Sequence, residues 1–216
     1  MKEIIAIDKN IRIIGRTRID IDIHNDDSFL HIDGNNISKY VDQFIIDRKI
    51  DELPVDVIKI ANDCKWLIVP YSKADKSILG IYEEIMYTDW GFTIYFDNQY
   101  IIFFNDEIKI GSQRFTIAHE IGHIVLEHFD FSNARTREKE ANMFAASLLM
   151  PIDVLRACNI QSRKDIEILC GVSYSAACYR YEKALKVNND ESLFRNKVLK
   201  QFQKFINTYK KKININ

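Results

Sequence analysis

The spacing of apolar and polar positions divides the chain into a strand-rich first part and a helical second part. Residues 11–24 alternate isoleucine with polar side chains, most regularly from Arg18 to His24, which is the period of a half-buried strand. Segment 66–71 predicts a buried strand, and a further strand or turn is predicted around residues 81–87. Segments 91–96 and 100–104 predict a β-hairpin that turns at Asp97-Asn98.

Helical periodicity begins near Pro54 and dominates from Ser112 onward. Pro54 predicts the start of a helix that runs to Cys64, and Thr136 is predicted to cap another helix that runs to Met150. Further helices are predicted at 112–128, 151–157, 163–170, 173–186 and 191–211. Strands followed by helices predict an α+β fold, with a small antiparallel or mixed sheet packed on helices.

Composition and charge indicate an ordinary globular protein but do not indicate a particular function. The 216 residues are 47% hydrophobic and 28% charged, with a net charge of −1, which predicts an ordinary globular protein and favours neither a nucleic-acid nor a membrane partner. The N-terminal apolar run carries charges, so no signal peptide is predicted. The four cysteines include no C-x-x-C pair, so we expect reduced thiols and a cytoplasmic location.

One stretch, His119-Glu120-Ile121-Gly122-His123, carries the chemistry. Histidines four residues apart on a helix differ by about 40° around its axis, so both imidazoles face one pocket. This H-E-x-x-H pattern is typical of zinc hydrolases, in which the histidines bind the metal and the glutamate acts as general base. The sequence therefore predicts Zn²⁺ on His119 and His123, with Glu120 as the catalytic residue.

A third protein ligand is expected, because catalytic zinc usually has three and keeps a fourth position for water. The candidates are Glu127, His128, Asp130, Glu138 and Glu140. Glu127 and His128 lie too far along the same helix to reach back, whereas the next helix brings a carboxylate to the metal. Glu140 lies four residues before the apolar Phe144, and Glu138 is predicted to face solvent, so helix phase favours Glu140.

The segments RFTIAHEIGH and EKEANMFAASLLMP resemble the ImmA/IrrE-type metallopeptidases. The resemblance implies a zincin-like, thermolysin-like core, Zn²⁺ bound by His119, His123 and Glu140, and Glu120 as catalytic glutamate. It also implies a protein substrate, since some members are implicated in cleaving helix-turn-helix repressors. The expected organisation is an N-terminal β-rich extension of unknown role (1–50), a metallopeptidase core (51–157) and a C-terminal helical region (158–216).

Several assignments stay open at this level. The donor that would stabilise the tetrahedral oxyanion has five candidates: Arg114, His128, Arg135, Tyr174 and Tyr179. Residues 166–186 have the pattern of a helix-turn-helix, in which Arg180 would be exposed, but a structural role is favoured over DNA binding. The basic amphipathic tail helix predicts packing on the domain or a partner. The alternative to a zinc endopeptidase is a non-proteolytic regulator, antirepressor or antitoxin-like, that binds a partner protein or DNA.

Overall fold

Four strands and nine helices make up the part of the chain that the computed structural model describes, residues 12–17, 34–74, 90–128, 133–186 and 193–213. The strands are β1 (Arg12–Thr17), β2 (Leu67–Pro70), β3 (Gly91–Phe96) and β4 (Gln99–Phe104). The helices of the first two thirds are α1 (Gly34–Asp47), α2 (Val57–Asp63), α3 (Ile110–Val125) and α4 (Ala134–Leu149). The remaining helices are α5 (Ile152–Ala157), α6 (Arg163–Cys170), α7 (Tyr174–Lys186), α8 (Leu193–Gln201) and α9 (Gln203–Ile213).

The strands form one mixed sheet in the order β1-β3-β4-β2. β3 pairs antiparallel with β1 and β4, whereas β2 runs parallel to β4. The predicted hairpin is confirmed: Asp97 and Asn98 both have positive φ, as the two central residues of a type I′ turn require. The predicted strand at 66–71 is also present, but it lies at the sheet edge and its Leu67 is 46% exposed, so the prediction that it is buried was wrong.

The main core forms where α4 packs against α3 on one side and against α1 on another. Phe144 of α4 is fully buried, and its ring meets that of Phe44 on α1 with the centroids 5.5 Å apart. α3 also packs against the sheet, so this helix lies between the sheet and α4. The α+β class predicted from the sequence is therefore confirmed, with the sheet on one side of α3 and helices on the other.

Two regions differ from the sequence prediction. Within residues 1–50, predicted to be a β-rich extension, the described residues form one strand and the helix α1, whose Val41 and Ile45 join the main core. The single tail helix predicted at 191–211 is divided into α8 and α9 near Phe202, whose side chain is buried. The strands predicted at 18–24 and 81–87 lie outside the described residues.

α6 and α7 are joined by a tight turn, and α7 is bonded to the core. Ser162 and Asp165 form a capping box at the start of α6, and Gly171 ends that helix with a φ of 61°, a conformation that glycine adopts without strain. Arg180 on α7 is only 7% exposed, and its Nε donates a hydrogen bond of 2.7 Å to the carbonyl of Met150. The Arg180 guanidinium is therefore buried against the core, where it cannot contact DNA bases.

No helix among the described residues is both long enough and apolar enough to cross a membrane.

Candidate metal centre

The H-E-x-x-H residues lie on the most buried stretch of α3. His119 and Glu120 are fully buried and His123 is 1% exposed, within a continuous buried run from Thr116 to Ile124. Such burial of three ionisable side chains is costly unless each has a polar partner. The polar partners of these three residues therefore define the site.

The two histidines turn their Nε2 atoms toward each other and toward Glu138 of α4. The Nε2 atoms lie 3.0 Å apart, and the Glu138 carboxylate oxygens lie 3.3 Å from Nε2 of each histidine. Three potential ligand atoms from two helices thus converge on one point.

The spacing of these atoms fits a zinc ion. Ligands held about 2.0–2.2 Å from a tetrahedral zinc lie roughly 3.3 Å from one another, close to the distances found here. In addition, Oε2 of Glu138 is buried, and among the described residues it makes no hydrogen bond of good geometry, only the 3.3 Å contact with Nε2 of His119. An oxygen in that position requires a partner, and a divalent cation between the three side chains would provide one.

Glu140, the third ligand favoured from the sequence, lies elsewhere. Its Oε2 is 3.1 Å from Nε2 of His128, and the structure groups Glu138 rather than Glu140 with His119 and His123. The prediction that Glu138 faces solvent was wrong, because its side chain is only 28% exposed and contacts both histidines.

Helix phase explains why Glu138, and not Glu140, lies beside the two histidines. Glu138 lies three residues before Ala141 and seven before Ala145, both fully buried, so it projects from their face of α4. Glu140 shares a side with Phe144 but lies about 100° from the centre of the buried stripe. The sequence argument placed Glu140 on the buried stripe because it lies four residues before Phe144, but Phe144 lies toward one edge of that stripe.

Each histidine has a hydrogen-bond partner for its outer ring nitrogen. Nδ1 of His119 lies 2.8 Å from Oδ1 of Asn142, which is one helical turn beyond Glu138 on α4. Nδ1 of His123 lies 2.9 Å from Nδ1 of His128. An acceptor on the outer nitrogen fixes the proton there and leaves the lone pair of Nε2 facing the site, as metal binding requires.

His128 reaches His123 because α3 ends in a sharp reversal. Glu127 has a φ of 55°, and the backbone N–H of His128 donates a hydrogen bond of 3.0 Å to the carbonyl of His123. The N–H of Glu127 donates to Ile124, and the two bonds together form a Schellman motif. The turn places His128 on the outer side of His123, away from the point where the three ligand atoms converge.

Glu120 is held from the sheet. The hydroxyl of Thr93 on β3 donates a hydrogen bond of 2.7 Å to Oε2 of Glu120, and both side chains are fully buried. Burial opposes the charged form of His119, but the Glu138 carboxylate and, after it, the Glu120 carboxylate outweigh burial and raise the pKa of that imidazole. Glu120 is therefore held in place by a hydrogen bond from the sheet, next in sequence to His119 on the same buried turn of α3.

Gly122 allows α3 and α4 to approach closely. A Cβ atom at Gly122 would lie 3.1–3.2 Å from side-chain atoms of Phe144. The absence of a side chain therefore brings the backbone of α3 against α4, the helix that carries Glu138.

The electrostatics of the site favour a negative carboxylate between the imidazoles. Burial opposes ionisation of Glu138, but the adjacent His119 and His123 outweigh it and lower the pKa of Glu138 to about 2. Burial lowers the pKa of His128 to about 3, with further contributions from His123 and Arg137, so His128 is neutral at physiological pH. Burial raises the pKa of Glu140.

Two of the candidate oxyanion donors have other partners. Arg114 donates from Nε to the carbonyl of Gly171 at 3.0 Å and from an Nη atom to that of Val55 at 2.7 Å. It therefore ties α3 to the end of α6 and the segment before α2. His128 is bonded to His123 and Glu140 as described, so neither side chain is placed to receive a developing charge.

Sequence reasoning considered Glu138 but preferred Glu140, and it missed Asn142 and Thr93 as residues of the site. Glu138 and Asn142 are four residues apart on α4, so they share a face with each other as His119 and His123 do on α3. That spacing is a signal that the sequence carried. Thr93 had no such signal, because only the packing of β3 on α3 brings it to Glu120.

Comparison with known families gives one match. Residues 83–182 match the model of the IrrE N-terminal-like domain, a peptidase family, and this range includes β3, β4, α3 and α4 with the whole site. No curated protein and no solved structure matches the chain.

Proposed function

We propose that the protein is a zinc-dependent endopeptidase, because residues 83–182 match the model of the IrrE N-terminal-like domain, a peptidase family. The observation that carries the proposal is the convergence of His119, His123 and Glu138 beside the buried Glu120. Two imidazoles and a carboxylate are a donor set of catalytic zinc sites, which leave one position for water.

His119, His123 and Glu138 would hold the metal in this proposal, and Glu140 would not. Zinc, when bound, would polarise the scissile carbonyl and bring the pKa of water toward neutrality. Glu120 accepts the proton of the attacking water and returns it to the leaving amine. Thr93 keeps the Glu120 carboxylate in place during both transfers through its hydrogen bond.

We propose that the substrate is a regulatory protein of the cytoplasm, similar to the helix-turn-helix repressors that members of the resembling family are implicated in cleaving. The family implies a protein substrate. Burial of Arg180 weighs against the alternative in which α6 and α7 read DNA. A regulator that binds its partner without cleavage is the second hypothesis, and it differs from the first in making no use of Glu120.

The decisive experiment compares the wild-type protein with Glu120→Gln, which keeps the shape of the side chain and removes the base. Zinc content is measured on both proteins, and new N-termini are sequenced in cells that express each one. We expect equal zinc in the two proteins and cleavage products only with the wild type. Identical sets of new N-termini from both would reject proteolysis and favour the binding hypothesis.

A further inference from the structure

A hydrogen-bonded chain of three side chains, His123–His128–Glu140, leads outward from the point where the ligand atoms of His119, His123 and Glu138 converge. Its two links are the 3.1 Å contact between Glu140 and Nε2 of His128 and the 2.9 Å contact between the Nδ1 atoms of His128 and His123. His128 is 6% exposed and His123 is 1% exposed, so the inner link is shielded from water.

Simple valence rules give the chain one direction. An ionised carboxylate accepts hydrogen bonds only, so in the 3.1 Å contact Nε2 of His128 donates to Glu140. A histidine that binds a metal through Nε2 carries its ring proton on Nδ1, so in the 2.9 Å contact Nδ1 of His123 donates and Nδ1 of His128 accepts. That leaves Nε2 of His123 without a proton and facing Glu138, 3.3 Å away.

We propose that His128 and Glu140 are positioning residues that hold His123 in its metal-binding tautomer and orientation. In this assignment Glu140 acts on the metal through two imidazoles and does not contact it. The inference rests on the proposed metal site but not on proteolysis.

His119 is also oriented through its outer ring nitrogen, but by an amide and not by a second imidazole. Nδ1 of His119 donates directly to the amide oxygen of Asn142 at 2.8 Å, so one side chain from α4 is sufficient there. His123 is bonded to His128 from the turn after α3, and Glu140 of α4 then sets the tautomer of His128. Both ligand histidines are thereby oriented from α4, the helix that also supplies Glu138.

The test is zinc affinity, measured by competition with a chromophoric chelator. We expect His128→Ala to weaken zinc binding by about 10- to 100-fold, the usual cost of removing the partner of a ligand histidine. His128→Asn should recover much of the loss, because its amide oxygen accepts the His123 proton in place of the imidazole. The matched control is Glu127→Gln, next to His128 in the chain but exposed and outside the hydrogen-bonded chain.

A double-mutant cycle separates positioning from ligation. If Glu140 acts only through His128, Glu140→Ala should weaken zinc binding in the wild type but change it little in the His128→Ala background. An equal loss in both backgrounds would overturn the proposal and make Glu140 an independent ligand. Unchanged affinity in both His128 variants would overturn it as well.

Nitrogen-15 NMR of the zinc-loaded protein gives a readout that a purely structural role would not move. In the wild type we expect His128 to be neutral with its proton on Nε2. Glu140→Gln is the substitution at that position that changes the shape of the side chain least, and it should increase the fraction of His128 with its proton on Nδ1. A His128 proton on Nδ1 in the wild type would refute the proposed direction. If wild-type protein binds no zinc, the metal site itself fails; if it binds zinc and the variants match it, only the positioning chain fails.

Discussion

The hydroxyl of Thr93 donates a hydrogen bond of 2.7 Å to the Glu120 carboxylate, and this contact joins the central hairpin to the H-E-x-x-H helix. Both side chains are fully buried, so the bond is shielded from water, and it is charge-assisted when Glu120 is the carboxylate of the proposed mechanism. It connects the two parts of the fold, sheet and helices, at the residue to which we assign the proton transfers.

We predict that Thr93→Val destabilises the protein by about 1.5–3 kcal/mol, the range for a hydrogen bond to a charged group. Valine keeps the size of threonine and removes only the donor. The free energy of unfolding in urea measures the loss, and the cleavage rate should fall with it. Thr93→Ser is the control, because it keeps the hydroxyl, and its cleavage rate should remain near that of the wild type. A valine variant as stable and active as wild type would show that the bond contributes nothing.

The choice between Glu138 and Glu140 as ligand gives the next prediction. Glu138→Ala should remove a direct ligand and lower zinc content sharply after dialysis against a weak chelator. Glu140→Ala should leave a metal site of reduced affinity with its three ligands present. Metal analysis by mass spectrometry compares the two, and a larger loss in Glu140→Ala than in Glu138→Ala would reverse the assignment.

Asn142 is predicted to orient His119. Because Nδ1 of His119 lies 2.8 Å from the amide oxygen, Asn142→Ala should weaken zinc binding by about 10- to 100-fold. Asn142→Asp keeps an acceptor at the same position and should retain the affinity or increase it. The competition assay tests both variants, and equal weakening by alanine and aspartate would indicate disturbed packing and not a lost acceptor.

Gly122 is predicted to be required by the close approach of α3 to α4. A Cβ atom there would lie 3.1–3.2 Å from Phe144, which is fully buried and cannot move aside freely. We expect Gly122→Ala to cost about 1–3 kcal/mol of stability through overpacking, even though alanine favours helices. Thermal unfolding measures the effect. A Gly122→Ala, Phe144→Leu double variant should recover part of the loss, and a single variant more stable than wild type would contradict the packing argument.

The sequence was sufficient to predict those parts of the structure that depend only on a local helix or hairpin pattern. His119, Glu120 and His123 follow from the helical repeat alone, and the hairpin follows from Asp97-Asn98 between two apolar runs. The identity of the carboxylate from α4 did not follow, because it depends on which face of that helix meets α3. The spacing of Glu140 from Phe144 favoured Glu140, whereas in the structure Glu138 projects from the face of the fully buried Ala141 and Ala145.

The contact of His128 with His123 could not be predicted from helical periodicity, because the helix ends before His128. A continuous helix would carry His128 away from His123, as the sequence argument assumed, but α3 ends at Val125. Glu127 then adopts a positive φ, an uncommon conformation for a residue other than glycine. No feature of the sequence indicates that reversal, and the contact between the two imidazoles depends on it.

The last prediction concerns Asp42 of α1, whose environment makes stability depend on pH. Burial raises the pKa of Asp42 from its usual 3.8 to about 6, and the charge of Asp153 adds to the effect although Arg180 opposes it. Ionising Asp42 is therefore harder in the folded protein than in the unfolded chain. The folded state should lose stability as pH rises from about 4 to 6, by up to about 3 kcal/mol, and the loss should stay constant above that range.

Asp42→Asn removes the ionisation and should therefore raise the free energy of unfolding at pH 8 by up to about 3 kcal/mol. At pH 4 the wild-type side chain is already protonated in the folded protein, so the gain should be much smaller there. Urea unfolding at the two pH values measures the difference. Asp47→Asn, an exposed position on the same helix, is the matched control and should show no comparable difference between pH 4 and pH 8. A pH-independent gain in Asp42→Asn would mean that burial of the charge does not limit stability, because only the ionised form of Asp42 carries the cost.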